Sequence, residues 1–302
     1  MIVNSANLNN LFTGFKSSFD KGFAGAQTVY RQIATVVPSS TREETYGWLG
    51  QFPKMREWIG DRVIKNLQEH SYKIVNRDFE QTVSVPRNDI EDDQYGVFGS
   101  IFSEMGRSAA EFPDELTLGL LGKGFNTVCY DGQFFFDTDH PVKGVSVSNN
   151  QGGSGAPWFL LDCSRPIKPM IFQERRTLGK LVRKDDDKDE NVFYQKEYVY
   201  GSDGRCNAGF GLWQMAYASK QPLTPANYEA ARLAMMALTG DEGRPLGIKP
   251  DTLVCGTALE GAAMRLLNNG TRIDTSSGTP VAIQNEWAGT AKPIVTPWLD
   301  SA

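Results

Sequence analysis

The longest helical pattern in the sequence runs from residue 89 to residue 122. Four acidic residues crowd its predicted first turn, where the helix dipole favours negative charge: Asp89, Glu91, Asp92 and Asp93. The apolar row behind them contains Val97, Ile101, Met105 and Ala109. Pro113 interrupts the pattern, and Asp114 is expected to cap its continuation. At 1.5 Å per residue the whole segment would extend for roughly 50 Å, which is long for an ordinary globular domain. We therefore predict that the longest helix of the chain spans at least residues 92–110.

Residues 71–86, just before this helix, follow a two-residue period instead of a helical one. Apolar and polar side chains alternate on two predicted strands, which Arg77-Asp78 separates. The apolar positions are Tyr72 and Ile74 on the first strand and Phe79, Val83 and Val85 on the second. A two-stranded hairpin is marginal alone in water. We therefore expect it to project from the subunit body, with the apolar side chains of its second strand covered mainly by another copy.

An apolar stripe also marks residues 5–24. Its members recur at spacings of three and four, which is typical of one face of a helix: Leu8, Leu11, Phe12, Phe15, Phe19 and Phe23. Three glycines weaken this helix, so it needs another surface, either the chain's own core or a neighbour. After Pro38, a capping box formed by Thr41 and Glu44 predicts the first of two short helices, which break at Pro53.

The remaining pattern is mixed. An Asp131-Gly132 turn predicts a hairpin, and residues 148–156 predict a flexible loop. Apolar runs predict strands at 157–163, 169–173, 192–200 and 206–218. The last third predicts a helix capped by Thr224 with Pro225, a strand at 252–256, a second helix capped by Thr257 and a strand-like end. The predicted fold class is therefore α+β.

Composition excludes several classes of protein. The 31 Lys and Arg against 36 Asp and Glu give a net charge of −5. The sequence has no basic stripe, which argues against a protein that binds nucleic acid through its phosphates. No apolar run approaches ~18 residues, so we expect no membrane span. The first residues lack the basic and apolar regions of a secretory signal. The four cysteines are far apart and are expected to be reduced, and only two histidines are present.

The best catalytic-looking segment is Asp137-Thr138-Asp139-His140, whose two carboxylates and imidazole suit metal binding or acid–base chemistry. On a strand, however, His140 points away from the two carboxylates. Pro141 then favours a turn with a packed histidine. Gly122-Lys123 does not fit a phosphate-binding loop, and no serine-hydrolase elbow occurs. We therefore predict no catalytic residue, no cofactor, and neither a metal nor a pocket at this turn.

The segment from Tyr46 to Val142 resembles the major head subunits of Mu-like phages and prophages, the gpT family. The sequence segments that carry the resemblance are YGWLGQFPKMREW, SVPRNDIEDDQYGVF and FFFDTDHPV. The resemblance implies the Hong Kong ninety-seven-type capsid fold, with these parts: an N-terminal arm at 1–45, a connecting helical segment at 46–61, an extended hairpin loop at 62–88, a peripheral domain at 89–222 with its spine helix at 89–122, an axial domain at 223–288, and a C-terminal strand at 289–302 that returns to the body.

The function that the resemblance implies is structural. Hexamers and pentamers of the chain would form the icosahedral shell around the double-stranded DNA of a tailed phage, assembled in the bacterial cytoplasm. Other expected partners are scaffold, portal and possibly decoration proteins. The expected contacts between subunits are Phe12, Phe15, Phe19, Tyr72, Ile74, Phe79, Val83 and Val85. Two alternatives stay open: an encapsulin-like compartment, and a metal-dependent hydrolase that uses Asp137, Asp139 and His140.

Overall fold

The computed structural model describes residues 4–49, 72–92, 94–142, 144–186, 188–240, 243–274 and 280–299. The predicted helix break at Pro53, most of the connecting segment at 46–61, and residues 62–71 of the predicted hairpin lie outside the described residues.

The described residues form six α-helices and sixteen strands in mixed order. The helices are α1 (Ser5–Gly25), α2 (Tyr30–Ile33), α3 (Arg87–Glu91), α4 (Phe98–Gly122), α5 (Pro225–Met236) and α6 (Glu260–Leu267). The strands are β1 (Ala34–Pro38), β2 (Glu43–Thr45), β3 (Lys73–Val75), β4 (Arg77–Pro86), β5 (His140–Val142), β6 (Val145–Val147), β7 (Asn150–Gly153), β8 (Trp158–Leu161), β9 (Met170–Arg176), β10 (Leu181–Lys184), β11 (Glu197–Phe210), β12 (Ala216–Lys220), β13 (Thr252–Cys255), β14 (Thr271–Asp274), β15 (Val281–Gln284) and β16 (Lys292–Val295).

The predicted N-terminal helix is confirmed, and it lies on the chain's own helix α4. Phe15 stacks on Phe102 of α4, with 4.3 Å between the ring centroids. Gly22 of α1 and Gly106 of α4 allow this approach, because a Cβ at either position would overlap a backbone carbonyl of the facing helix. The stripe is therefore covered within the chain.

Helix α4 is the longest of the described helices, with 25 residues, but it begins at Phe98 and not near residue 89. Of the acidic residues predicted to start it, Asp89 and Glu91 belong to the separate short helix α3 and Asp92 follows it, while Asp93 lies outside the described residues. Gly96 lies between the two helices, where its backbone freedom disfavours a continuous helix. The predicted span of 92–110 is thus wrong at its start.

The predicted interruption at Pro113 is also wrong, because α4 continues through it to Gly122. Asp114 does not cap a second helix. Its carboxylate accepts hydrogen bonds from the backbone N–H groups of Val29, at 2.9 and 3.0 Å, and of Tyr30, at 2.6 Å. These bonds hold the segment between α1 and β1 against the middle of α4.

The first five-stranded sheet has the order β1-β9-β11-β10, and β4 pairs with β11 along its whole length. The predicted hairpin between β3 and β4 is wrong, since β3 pairs with β2 instead. Buried Asn76 separates the two strands: its amide donates to Ser39 Oγ at 2.8 Å and to the Thr41 carbonyl at 2.9 Å. Glu44 accepts from the Thr41 hydroxyl and backbone N–H, as a capping box would, but these bonds close a turn into β2 and start no helix.

The second five-stranded sheet has the order β16-β13-β8-β12-β7. Residues 150–153, predicted as part of a flexible loop, form β7, which pairs in parallel with β12. The sheet also crosses the predicted boundary between residues 222 and 223, because β8 and β12 pair with each other and β8 pairs with β13. At the other edge of this sheet, β16 pairs in parallel with β13.

The predicted helices of the last third are confirmed, with one change at a cap. The Thr224 hydroxyl accepts a hydrogen bond from the Asn227 backbone N–H at 3.3 Å, and Pro225 begins α5. The second helix, α6, begins at Glu260 after a 3-10 turn, so Thr257 is not its cap. The Asp131-Gly132 turn is confirmed, with Gly132 at a φ of +89°, and its predicted strands shorten to one bridge between Val128 and Phe134.

Candidate functional site

Four of the eight predicted subunit contacts are buried within a single chain. They are Phe15, Phe19, Ile74 and Val85, with 4%, 0%, 3% and 1% of their surfaces exposed. The prediction that these four contact another subunit is therefore wrong. Helix α4 covers the stripe of α1, and the pairing of β4 with β11 places the second strand inside the chain's own sheet.

The other four predicted contacts are half-buried. Phe79 packs edge-on against Phe112 at 4.6 Å, and Val83, four residues further along β4, is in partial contact with the core. Arg183 lies over the Phe12 ring at 4.7 Å, and the Tyr72 hydroxyl accepts a hydrogen bond from the Phe210 backbone N–H at 2.9 Å. The expected cover of Phe79, Val83 and Val85 by another copy is wrong for Val85, and the chain itself covers part of the other two.

The most exposed aromatic side chains of the described residues lie elsewhere, at Phe193 and Tyr194. They belong to a π-helical segment, Asn191–Gln195, that precedes β11. Sequence reasoning placed them in a strand at 192–200 and missed them. The available signal was their position directly after the charged run at 183–190, which indicates a solvated loop.

The Asp137–His140 turn does not bring its own three ionisable groups together. His140 is fully buried, and its ring stacks on Trp213 with 4.0 Å between centroids. Its Nδ1 lies 2.7 Å from Oδ2 of Asp131, and its Nε2 lies 3.2 Å from Oδ1 of Asn149. The Asp137 carboxylate instead accepts from the backbone N–H groups of Thr138, at 2.8 Å, and Phe134, at 3.3 Å.

Neighbouring bonds determine which way Asn149 faces. Its amide nitrogen donates to the carbonyl of Phe135 at 2.8 Å, and its Oδ1 accepts from the Asp137 backbone N–H at 2.9 Å. The Asn149 oxygen therefore faces Nε2 of His140, and that ring nitrogen must donate. Both ring nitrogens of His140 then face oxygen atoms, one from Asn149 and one from the Asp131 carboxylate.

Asp131 connects His140 to Cys129. Its Oδ1 accepts from the Cys129 thiol at 3.1 Å and from the Gln133 backbone N–H at 3.1 Å. Burial raises the pKa of Asp131, but the hydrogen bonds from His140 and Cys129 outweigh it and hold the pKa below its usual value. Burial, with the neighbouring Asp131 charge, raises the pKa of the Cys129 thiol, so this thiol is no ready nucleophile.

Among the described residues, Cys129, Asp131 and His140 are the one group whose ligand atoms come close enough together for a metal, within 4.8 Å of one another. Sequence reasoning missed this grouping, since it considered only the Asp137–His140 turn. The 2.7 Å between Nδ1 and Oδ2 is a hydrogen-bond distance, whereas two ligands of one tetrahedral zinc stand about 3.4 Å apart. The geometry is that of a hydrogen-bonded structural cluster.

Within the part of the chain that the structure describes, no helix has the length and apolar character needed to span a membrane.

Comparisons with known proteins decide the family. The model of the Mu-like prophage major head subunit gpT matches residues 8–299. The chain belongs to this family. It is 44% identical to the major capsid protein of Escherichia phage Mu, over 99% of this chain and all of that protein. It is 45% identical to the Mu-like prophage FluMu major head subunit of Haemophilus influenzae, over 92% of each.

Solved structures agree with this family. The chain in the procapsid of bacteriophage JBD30 is 43% identical, with a TM-score of 0.82 over 98% of this chain and 100% of that one. The chain in the JBD30 capsid is 35% identical, with a TM-score of 0.74 over 99% and 100%. The protein is a major head subunit, and its fold is the mixed α+β fold of these phage capsid chains.

Proposed function

We propose that this chain assembles as hexamers and pentamers into the icosahedral shell that encloses the double-stranded DNA of a Mu-like tailed phage. The observation that carries the proposal is the full-length match to head subunits, which extends to the chains of a procapsid and a capsid. We assign the chain the Hong Kong ninety-seven-type fold, in which α4 is the spine helix, the first sheet is the peripheral domain and the second sheet with α5 and α6 is the axial domain.

The charge of the chain fits a container. A net charge of −5 supplies no general attraction for phosphates, so packaged DNA is held by enclosure and counterions and not by sequence-specific contacts. One relative's structure is a JBD30 capsid decorated with minor capsid protein trimers. We propose comparable decoration here, together with separate scaffold and portal proteins, assembly in the bacterial host cytoplasm and a final location in the virion.

The half-buried residues Phe12, Tyr72, Phe79 and Val83 stay proposed as minor contributors to subunit contacts, because part of each side chain remains accessible. The Asp137–His140 turn supports a structural role over a hydrolytic one. His140 is stacked and bonded on both ring nitrogens, which leaves no free nitrogen for a substrate or a water. We propose that the chain is no enzyme.

The test is assembly of the full-length chain, expressed alone and with the products of neighbouring genes. Negative-stain electron microscopy and velocity sedimentation should show closed shells of uniform size. A chain that stays monomeric under both conditions would contradict the proposal. Neighbouring genes for a portal and a terminase support the phage shell, whereas a gene for a ferritin-like or peroxidase cargo would favour an encapsulin-like compartment.

Elemental analysis tests the hydrolase alternative separately. We expect no stoichiometric zinc or manganese in the purified protein and no change in metal content in the Asp137→Ala, His140→Ala double variant. A metal that the wild type binds and the double variant loses would favour the enzyme.

A further inference from the structure

The aromatic pair Phe193–Tyr194, here called the aromatic tip, is the most exposed apolar feature of the described residues. Phe193 is 73% exposed and Tyr194 is 77% exposed. Their rings meet edge to face, with 5.0 Å between centroids. Single exposed apolar residues are ordinary, but two adjacent large aromatics in water indicate a surface that another molecule covers.

The backbone holds the aromatic tip in a fixed conformation. Val192 is buried beneath it, and the Asn191 side chain donates to the carbonyls of Lys184, at 3.0 Å, and Glu197, at 2.7 Å. Lys196 adopts a left-handed φ of +56°, and its carbonyl accepts from the Arg87 backbone N–H at 2.9 Å. A pre-organised aromatic pair loses little conformational entropy on binding.

A groove of about 420 Å³ opens near the other end of β11, and we call it the α4 groove. Its apolar part is formed by Leu116 and Leu120 of α4, Ala208 of β11 and half-buried Trp298. Arg77 and Lys123 stand at the groove and are exposed, together with one carboxylate, Glu115. The groove therefore presents both apolar and polar surface, with more positive than negative charge at it.

Charge and distance both point to a second copy as the occupant. Three acidic residues precede the aromatic tip, at Asp186, Asp189 and Glu190, and two exposed lysines flank it, at Lys188 and Lys196. The described residues of this segment therefore carry a net charge of −1, opposite in sign to the two cations and one carboxylate at the groove. Ten residues of extended strand separate the start of β11 at Glu197 from Asn207 at the groove, which is about 34 Å at 3.4 Å per residue. One chain therefore cannot place its aromatic tip in its own groove.

We propose that the aromatic tip of one subunit binds in the α4 groove of a neighbouring subunit. Tip and groove are different surfaces, so the contact is head-to-tail, and such contacts close into rings when the rotation between copies allows it. This inference rests on the proposed shell function and names the surfaces that join the subunits.

Disulfide trapping tests the contact in the full-length chain. One cysteine replaces Tyr194 at the tip, and a second replaces Asn207 at the groove. Shells of this double variant, after mild oxidation, should give a ladder of covalent dimers and higher oligomers on a non-reducing gel. Matched controls are Tyr194→Cys alone and Tyr194→Cys with Val145→Cys, since Val145 is exposed at 64% and lies outside the groove. Neither control should give more than the background from the native cysteines.

Thiol accessibility supplies a second measurement. The Tyr194→Cys chain should react with a maleimide at least tenfold more slowly in shells than as an unassembled subunit. If the substituted chains do not form shells alone, they are co-assembled with excess wild-type subunits and read in the same way. Shells that form normally, with no cross-link above the controls and an unchanged maleimide rate, overturn the tip–groove contact and leave the shell function intact. Failure of the wild-type chain itself to form shells contradicts the shell function instead.

Discussion

Two aromatic surfaces of the molecule have opposite surroundings. Phe15 and Phe19 of α1 are buried against the chain's own α4, whereas Phe193 and Tyr194 stand in solvent on a fixed segment before β11. The first pair stabilises the subunit, and the second is available to a neighbour. The difference teaches that apolar content alone does not identify an assembly surface: the close approach allowed by Gly22 and Gly106 decides which stripe the chain covers itself.

The largest expected effect separates these surfaces by stability. Phe19→Ala should lower the free energy of unfolding of the subunit by about 3–5 kcal/mol, because it removes a fully buried ring and leaves a cavity between α1 and α4. Urea unfolding followed by tryptophan fluorescence measures it. A loss below about 1 kcal/mol would mean that α1 is not packed on its own chain in solution.

The buried contact between Asp131 and His140 gives the next largest effect. Asp131→Asn should destabilise the subunit by about 3 kcal/mol at pH 7, because the buried His140 ring loses its carboxylate partner. Asp139→Asn is the matched control, since Asp139 is exposed and adjacent to the same histidine in sequence. Equal effects of the two substitutions would show that the contact between Asp131 and His140 does not stabilise the fold.

The pH dependence of this pair follows from the lowered pKa of Asp131. A carboxyl group whose folded pKa lies below its unfolded value of about 3.9 contributes stability above that value. The contribution disappears as the pH falls through the folded pKa. We expect the stability difference between the wild type and Asp131→Asn to shrink as the pH falls below 4. A difference that grows as the pH falls below 4 has the wrong sign for a carboxyl group with a lowered pKa.

A smaller effect tests the close approach of α1 and α4. Gly106→Ala should cost about 1–3 kcal/mol, because the new methyl group would overlap the backbone of Phe19 and push the helices apart. Gly14→Ala on α1 is the control. Nothing lies near its Cβ position, so better helix propensity should raise stability by about 0.5–1 kcal/mol. Thermal unfolding of both variants gives the comparison.

The smallest expected effect on stability belongs to the aromatic tip. Phe193→Ser should change the free energy of unfolding by no more than about 0.5 kcal/mol, since the ring is exposed in the subunit. The yield of shells should nevertheless fall, as measured by sedimentation. A variant that is much less stable as a subunit, or that forms shells at the wild-type yield, would place the tip outside the subunit contacts.

Secondary structure that depends on residues close together in the chain could be predicted from the sequence. The stripe of α1, the Thr224-Pro225 start of α5 and the Asp131-Gly132 turn each depend on residues close together in the chain, and all three are present. The failures involve distant partners. Asp114 was expected to cap a helix, but its carboxylate binds the backbone at residues 29 and 30, which only the fold brings near.

The sites were harder to predict for the same reason. The β-period of residues 77–86 was read correctly, but nothing in it reveals that β11, more than a hundred residues later, supplies the pairing edge. His140 was found, whereas its partners Asp131 and Asn149 emerge only once the turn folds around Trp213. The exposed pair at 193–194 sits on a π-helical segment that a strand pattern does not distinguish.

A reconstruction of the assembled shell by cryo-electron microscopy tests the comparison most directly, at a resolution that shows side chains. We predict a closed shell in which α1 of every subunit lies on its own α4, and in which the rings of Phe193 and Tyr194 occupy the α4 groove of a neighbour. A shell in which α1 lies on another subunit's α4, while the aromatic tip remains in solvent, would contradict the assignment of the two surfaces.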